Sequence, residues 1–250
     1  MLEELPTRYE REPVIGQGVG GDETTQIDQA AEQAVIRRLE ELDLPGLTLV
    51  SEEIGEQVFG VGAPPLVIVD PIDGSINAKR GIPFFAFSLA VAEGPTMADV
   101  VFGYVFDFGS GEEWTARRGG GAFLNGEPIG RVRPKDEIDL LFFEATLSSL
   151  IADRAPAMST LAKCLRVMGS LALSLCHLAD GRADGVCSLK EARAVDIAAA
   201  QLLVREVGLS IELVDKGVFA EAPLDLIGRS RIAAAGTPEL CAQIGERLRA

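Results

Sequence analysis

Hydrophobic residues in this chain fall into short blocks whose spacing switches between the helical and the extended period. In TTQIDQAAEQAVIRRLEEL, residues 24–42, Ile27, Ala30, Ala31, Ala34, Val35 and Leu39 recur at helical spacing with Arg and Glu opposite, which predicts an amphipathic helix. The chain then passes through DLPG to LTLV at 47–50, to Ser51-Glu52-Glu53, to a Gly-containing turn region, and to the dense apolar run LVIV at 66–69. Both apolar runs predict buried strands. FFAFSLAVA, DVVFGYVF, EEWTARR and AFLNGEPI follow, separated by Gly, Pro, Asp and Asn, and predict consecutive antiparallel pairing. Beyond the polar stretch RVRPKDE at 131–137, strand-like and helix-like segments alternate: LLFFEA, GSLALSLCHLADG, GVCSL, DIAAAQLLVREVG, IELV, IAAAG and a final helix. The expected organisation is an N-terminal α+β half over residues 1–133 with a large antiparallel sheet, and a C-terminal α/β half over 134–250 with helices on both faces of a smaller sheet.

Composition narrows the class. At 250 residues and 47% hydrophobic content, the chain can bury a real core, which excludes disordered, collagenous and disulfide-scaffold classes. No apolar stretch approaches the roughly 18 to 20 residues that a membrane helix needs. The start, MLEELPTRYEREP, has no basic flank followed by an apolar run, so a soluble, unexported, cytoplasmic protein is expected. Cys164, Cys176, Cys187 and Cys241 form no C-x-x-C pair; buried thiols in a reducing compartment are expected. A formal net charge of -15 argues against nucleic acid or an anionic membrane as partner. His177 is the sole histidine, which argues against a Ser-His-Asp relay or a multi-histidine metal site, and a partly buried helix position is expected for it. The chemistry is left to carboxylates, hydroxyls and metal.

Four acidic sites then stand out. In LVIVDPIDGSIN, residues 66–77, an apolar strand ends directly in Asp70, and Pro71 fixes the turn that carries Asp73. Two carboxylates three apart on a rigid turn suit a hard divalent cation, and equally suit an Asp-capped turn. Gly74 and Ser75 read as the first turn of a short helix, whose N–H groups could hold phosphate. Glu52-Glu53 follows the strand LTLV, where an acidic pair commonly serves only to solvate a surface. Thr25-x-x-Asp28 has the form of a capping box, and Asp196 stands where a helix N-cap belongs, before IAAAQLLV. The acids repeatedly fall where strands end or helices begin.

Taken in order, D-x-x-A-E at 28–32, S-E-E at 51–53, D-P-I-D-G-S-x-N at 70–77, G-G-G-A-F-L-N-G at 119–126, G-S at 169–170 and V-D-I-A-A at 195–199 resemble the inositol monophosphatase superfamily. The likeness is strongest to its archaeal-type inositol monophosphatase/fructose-1,6-bisphosphatase group and spans roughly residues 20–245. It implies an α+β fold, a layered αβαβα sandwich, and a Mg²⁺-dependent phosphomonoesterase with two or three ions per site, Mn²⁺ serving as a substitute. By the same resemblance Glu52, Asp70, the Ile72 carbonyl, Asp73 and Asp196 are metal ligands, and Asp28 and Ser75 orient and deprotonate the attacking water. Glu53 supports them, Gly74 and Ser75 cradle phosphate, and Gly169, Ser170 and Leu171 meet the organic part of the substrate. Arg166, Lys190 and Arg193 are basic candidates for a second phosphate. The implied substrates are fructose 1,6-bisphosphate or a myo-inositol 1-phosphate. Histidinol phosphate, a 3′-phosphonucleotide, or a catalytically weak regulatory role are the alternatives, and a homodimer is the implied assembly. Two positions depart from the family pattern: Gln26 where archaeal-type relatives tend to carry Lys, and Leu189 where animal inositol monophosphatases place an acidic residue.

Overall fold

The computed structural model describes residues 2–21, 23–42, 45–61, 65–130, 135–145, 147–215 and 217–249. A one-turn helix α1 (Arg8–Arg11) and a hairpin of β1 (Val14–Gln17) and β2 (Glu23–Thr25) precede the expected amphipathic helix, α2 (Gln26–Glu41). The hairpin has no alternating pattern to announce it, since β1 is exposed throughout. Next come β3 (Gly46–Ser51), β4 (Gly55–Gly60), β5 (Leu66–Asp73), the short helix α3 (Ser75–Arg80), β6 (Ala86–Ala92), β7 (Val100–Asp107), β8 (Glu113–Arg117), β9 (Gly121–Leu124) and β10 (Glu127–Pro128). They form one eight-stranded sheet in the order β10-β9-β8-β7-β6-β5-β3-β4.

From β5 onward each successive pair is antiparallel, as the turn residues suggest, whereas β3 and β5 run parallel. Two expectations need correction here. The region after Glu53 is more than a turn, because β4 returns antiparallel along β3 as the sheet edge. Nor does the apolar strand stop at Asp70: β5 continues to Asp73, with its register against β6 slipping between Asp70 and Asp73. Pro71 has no N–H for the ladder, so the slip falls where the pairing cannot continue regularly.

The rest of the chain builds β11 (Ile138–Glu144), α4 (Ser148–Met158), β12 (Ala162–Arg166), α5 (Leu171–Ala179), β13 (Gly185–Ser188), α6 (Ala194–Glu206), β14 (Ser210–Leu213), β15 (Ile232–Ala235) and α7 (Pro238–Arg249). Their sheet has the order β12-β11-β13-β15-β14, with β11 parallel to both neighbours and β15 antiparallel to both of its own. The boundary expected between residues 133 and 134 lies outside the described residues. α4 and β12 carry little pattern: α4 holds Pro156, and most of AKCLR in β12 is exposed on an edge strand.

Five layers result. Ile27 and Ala31 of α2, with Val35 and Leu39, pack on one face of the large sheet through Ile72, Leu47, Leu49, Val67 and Val69. α5 and α6 fill the space between the sheets, where Leu173, Leu175, Ala198 and Leu203 share a core with Val105 and Trp114 on one side and Phe142 and Val186 on the other. α4 and α7 cover the far face, with Met158, Leu240 and Ile244 against Leu141 and Phe143. Alternation along β11 sends Phe142 one way and Leu141 and Phe143 the other, so a single strand serves two cores. Among the described residues no helix is long and apolar enough to cross a membrane. Cys176, Cys187 and Cys241 are buried as expected, but Cys164 is exposed because it lies on the edge strand β12. His177 is half-buried on α5 with its ring 5.6 Å from that of Phe84.

α6 reaches the large sheet closely because its inner face is alanine and the strand opposite offers Gly103. A Cβ at residue 103 would lie 2.5 Å from the Ala199 carbonyl oxygen, a backbone atom that cannot rotate away. Gly103→Ala is therefore expected to cost about 1–3 kcal/mol of stability in urea unfolding, through forced separation of α6 from β7.

Candidate active site

The parallel pair β3 and β5 ends on the same side of the large sheet, delivering Glu52 and Glu53 just past one strand and Asp70 to Asp73 at the end of the next. α6 begins against that edge, bringing Asp196 in its first turn. One carboxylate oxygen from each of Glu52, Asp70 and Asp196 lies within 4.8 Å of the others. These three, with Asp28, Glu53, Ile72, Asp73, Gly74, Ser75, Gly169, Leu171, Lys190 and Arg193, line a cavity of about 610 Å³ between the two sheets.

Other expected residues are placed differently. Asp73 Oδ2 accepts from the Ser170 hydroxyl and the Ala172 N–H, both at 2.6 Å, so this carboxylate reaches across to α5 and is not one of the clustered three. Ser170 consequently faces Asp73 and caps α5 through the Leu173 N–H; it is not in the cavity wall. Arg166 is likewise not in the wall: it is exposed on the edge strand β12, with Nη1 donating to the Leu165 carbonyl. Leu189, one of the two departures, is buried in the core beneath α7. The Ile72 carbonyl accepts from the Ser75 hydroxyl at 3.1 Å.

The capping-box reading of Thr25-x-x-Asp28 holds. Asp28 Oδ2 accepts from the Thr25 N–H at 3.0 Å and the Thr25 hydroxyl at 2.5 Å, a capping box at the start of α2. Its other oxygen, Oδ1, is buried without a hydrogen-bond partner, a position that a water or an ion would satisfy. Lys79, one turn beyond Ser75 on the same face of α3, brings Nζ to 3.5 Å from Asp28 Oδ2. The Thr24 hydroxyl donates to Glu53 Oε2.

Crowding of carboxylates shows in their acidity. Burial, followed by the charges of Glu52, Asp73 and Asp196, raises Asp70 well above the usual carboxylate range. Burial pushes Glu52 up to about 7 against the opposing pull of Arg193, and pushes Asp73 up to about 7 against its hydrogen bond from Ser170. A bound divalent cation would offset these shifts by favouring the ionised carboxylates. Three clustered oxygens, an unpartnered Asp28 Oδ1 and an all-oxygen donor set fit a hard ion such as Mg²⁺ or Mn²⁺.

Sequence reasoning missed Lys79, Glu144 and Glu32. Glu144 ends the apolar strand β11 just as Asp70 interrupts β5, the one signal that could have flagged it. It is buried, accepting from the Gly169 N–H at 2.8 Å and the Ser174 hydroxyl at 2.6 Å, and so fixes the loop before α5. Glu32 sits one turn after Asp28, its Oε2 accepting from the Ser51 hydroxyl at 2.7 Å and its Oε1 buried without a partner.

A layered αβαβα sandwich with acidic side chains gathered at strand ends between its sheets is shared with phosphoric monoester hydrolases, the class to which the chain's relatives belong. The chain belongs to the inositol monophosphatase family, whose pattern it matches over residues 2–249. It is 34% identical over 245 residues to a fructose-1,6-bisphosphatase/inositol-1-monophosphatase of Methanothermobacter thermautotrophicus, covering 94% of this chain and 86% of that one. It is 35% identical over 197 residues to a Nus factor SuhB of Pasteurella multocida, covering 75% and 70% respectively. Its fold superposes with a TM-score of 0.83 and 27% identity on the crystal structure of an inositol monophosphatase-fructose 1,6 bisphosphatase, over 99% of this chain and 93% of that one.

Glu32 generates a stability prediction. Burial lifts its carboxyl to about 7, opposed by the Ser51 hydrogen bond and aided by Glu53. A folded-state pKa above the unfolded 4.5 means that stability is fully present below pH 4.5 and is lost as pH rises through 7. Glu32→Gln removes that loss, so metal-free protein at pH 8 should gain about 2 kcal/mol in urea unfolding while gaining little at pH 5.

Proposed function

We propose that this protein hydrolyses phosphate monoesters of a sugar or cyclitol, fructose 1,6-bisphosphate or myo-inositol 1-phosphate foremost, with two or three Mg²⁺ ions and Mn²⁺ as a substitute. The observation that carries the reading is the meeting of Glu52, Asp70 and Asp196, from three separate segments, within 4.8 Å inside a cavity large enough for a sugar phosphate. These three residues, the Ile72 carbonyl and Asp73 would hold the ions. Bound there, divalent ions supply acidification of a water and neutralisation of the ester oxygen as it leaves.

The chain's own groups account for the rest. Asp28 Oδ1, unpartnered, is the acceptor available for a proton from water, and Thr25 holds its companion oxygen in place. Ser75 Oγ, already tied to the Ile72 carbonyl, orients the same water. Gly74 and Ser75 line the cavity at the start of α3, where their N–H groups would donate to phosphate oxygens. Glu53, with Thr24, and Lys79, beside Asp28, set the field around that proton acceptor. On the organic side Gly169, Leu171, Val167 and Met168 offer a largely apolar wall, with Lys190 as its cation for a second phosphate. A cytoplasmic, dimeric enzyme of carbohydrate metabolism completes the reading; four free thiols support a reducing compartment.

Chelator-treated protein should hydrolyse none of a panel holding fructose 1,6-bisphosphate, myo-inositol 1-phosphate, histidinol phosphate and a 3′-phosphonucleotide, and should recover with Mg²⁺ or Mn²⁺. Full activity without added metal would refute the metal assignment. A metal-loaded protein that cleaves nothing in the panel would instead favour a regulatory role like that implied by the Nus factor name of its Pasteurella relative. Asp70→Asn, the most enclosed of the clustered carboxylates, should lower turnover by orders of magnitude while leaving the circular dichroism spectrum unchanged.

A further inference from the structure

Arg193 lies inside the carboxylate cluster. Its side chain is 6% exposed; Nη1 is 2.6 Å from Glu52 Oε1 and Nη2 is 2.8 Å from Asp196 Oδ1. Asp196 is fully engaged by this one residue, because Oδ2 also accepts from the Arg193 main-chain N–H at 2.6 Å and from Nε at 3.2 Å. Two of the three carboxylates that would hold an ion are therefore bridged by a guanidinium.

The surroundings hold the guanidinium there. The tip of the β1–β2 hairpin is fastened above it, with the Val19 N–H donating to the Glu53 carbonyl at 3.1 Å and the Gly20 N–H to the Glu52 carbonyl at 2.9 Å. Arg229 reaches over to the same tip, Nη2 donating to the Gly20 carbonyl at 2.6 Å. A Cβ on residue 20 would lie 2.7 Å from Arg193 Nη1, so glycine leaves the space that the guanidinium occupies. The main-chain bond to Asp196 Oδ2 belongs to the helix cap and is independent of where the side chain points. Only the side chain can release Asp196 Oδ1 and Glu52 Oε1 together.

We propose that Arg193 is a resident cation of the metal-free site, holding Glu52 and Asp196 together and competing with the divalent ion for the same oxygens. This rests on the metal-dependent reading above. The two cations exclude each other electrostatically at such distances in a buried site, and full coordination of the ion requires the guanidinium to leave at least one carboxylate. Arg193 is thus a positioning residue whose presence weakens metal binding. An arginine that merely shaped the site would strengthen it.

The sign of the effect is the test. Mg²⁺ affinity would be measured by calorimetry on wild type, Arg193→Met and Arg193→Lys, with the melting temperature of each followed with and without Mg²⁺. The expected result is at least about tenfold tighter Mg²⁺ binding by Arg193→Met. The metal-free form of that variant should melt lower than wild type and recover most of the difference on Mg²⁺ addition, because the ion replaces the lost charge. Arg193→Lys, whose single ammonium cannot span both carboxylates, should fall between the two, and it decides the matter if the methionine variant does not fold. Equal or weaker Mg²⁺ binding by the variants overturns the proposal while leaving the metalloenzyme reading intact. A wild type that binds no Mg²⁺ overturns both.

Discussion

Several carboxylates cannot share one buried cavity without a counter-charge, and most of this protein's architecture answers that constraint. Asp70 and Asp28 are nearly inaccessible and Glu52 and Asp196 little more exposed, so their mutual repulsion is poorly screened by water. The metal-free chain meets the constraint in three ways: a guanidinium between Glu52 and Asp196, hydrogen-bond donors on Asp28 and Asp73, and protonation favoured at Asp70, Glu52 and Asp73. Each device is reversible. A site suited to metal ions needs carboxylates that are gathered in advance yet not locked into permanent ion pairs.

Topology is what gathers them. In the large sheet the sole parallel pair among the described strands is β3 with β5, and their shared direction places both C-terminal ends at the inter-sheet cavity. In the small sheet β11 and β13 are also parallel, and their last residues, Glu144 and Ser188, line the same cavity. Ligand sites outside the carboxyl ends of parallel strands are a general consequence of such connections. Here two sheets present those ends to each other. The starts of α3, α5 and α6 then close the space, and a long-range bond such as Asn77 Nδ2 to the Met168 carbonyl at 2.8 Å ties the halves together around it.

How much of this was legible in the chain depended on whether burial had left a periodic mark. α2, α5, α6 and most strands of the large sheet were readable because one face or both are apolar at a regular spacing. The β1–β2 hairpin was not, since β1 is exposed throughout and the tip is held by main-chain and arginine contacts. β4 was hidden for a related reason: Glu56, Gln57 and Val58 are exposed on an edge. In the site, acids after apolar strands were visible, but the resemblance to a family was needed to join them. Arg166 illustrates the limit. Its closeness in sequence to Gly169 suggested a shared wall, yet the strand direction of β12 carries its side chain to solvent, a geometric fact that spacing alone does not encode.

The cavity's composition also bears on how many ions a dianionic ester requires. Its walls carry nine carboxylates (Glu23, Asp28, Glu52, Glu53, Asp70, Asp73, Glu144, Glu191 and Asp196) against the three bases Lys79, Lys190 and Arg193, a formal excess of six negative charges. Two divalent ions offset four of these and three offset all six, so a phosphate group would face net repulsion in the first case unless part of the cluster were protonated. Glu144 gives that margin, because burial raises its carboxyl against the lowering pull of the donors from Met168, Gly169 and Ser174. Charge balance at the site therefore depends on Glu144, tied into the second half of the chain, as well as on the ions that the cluster would hold.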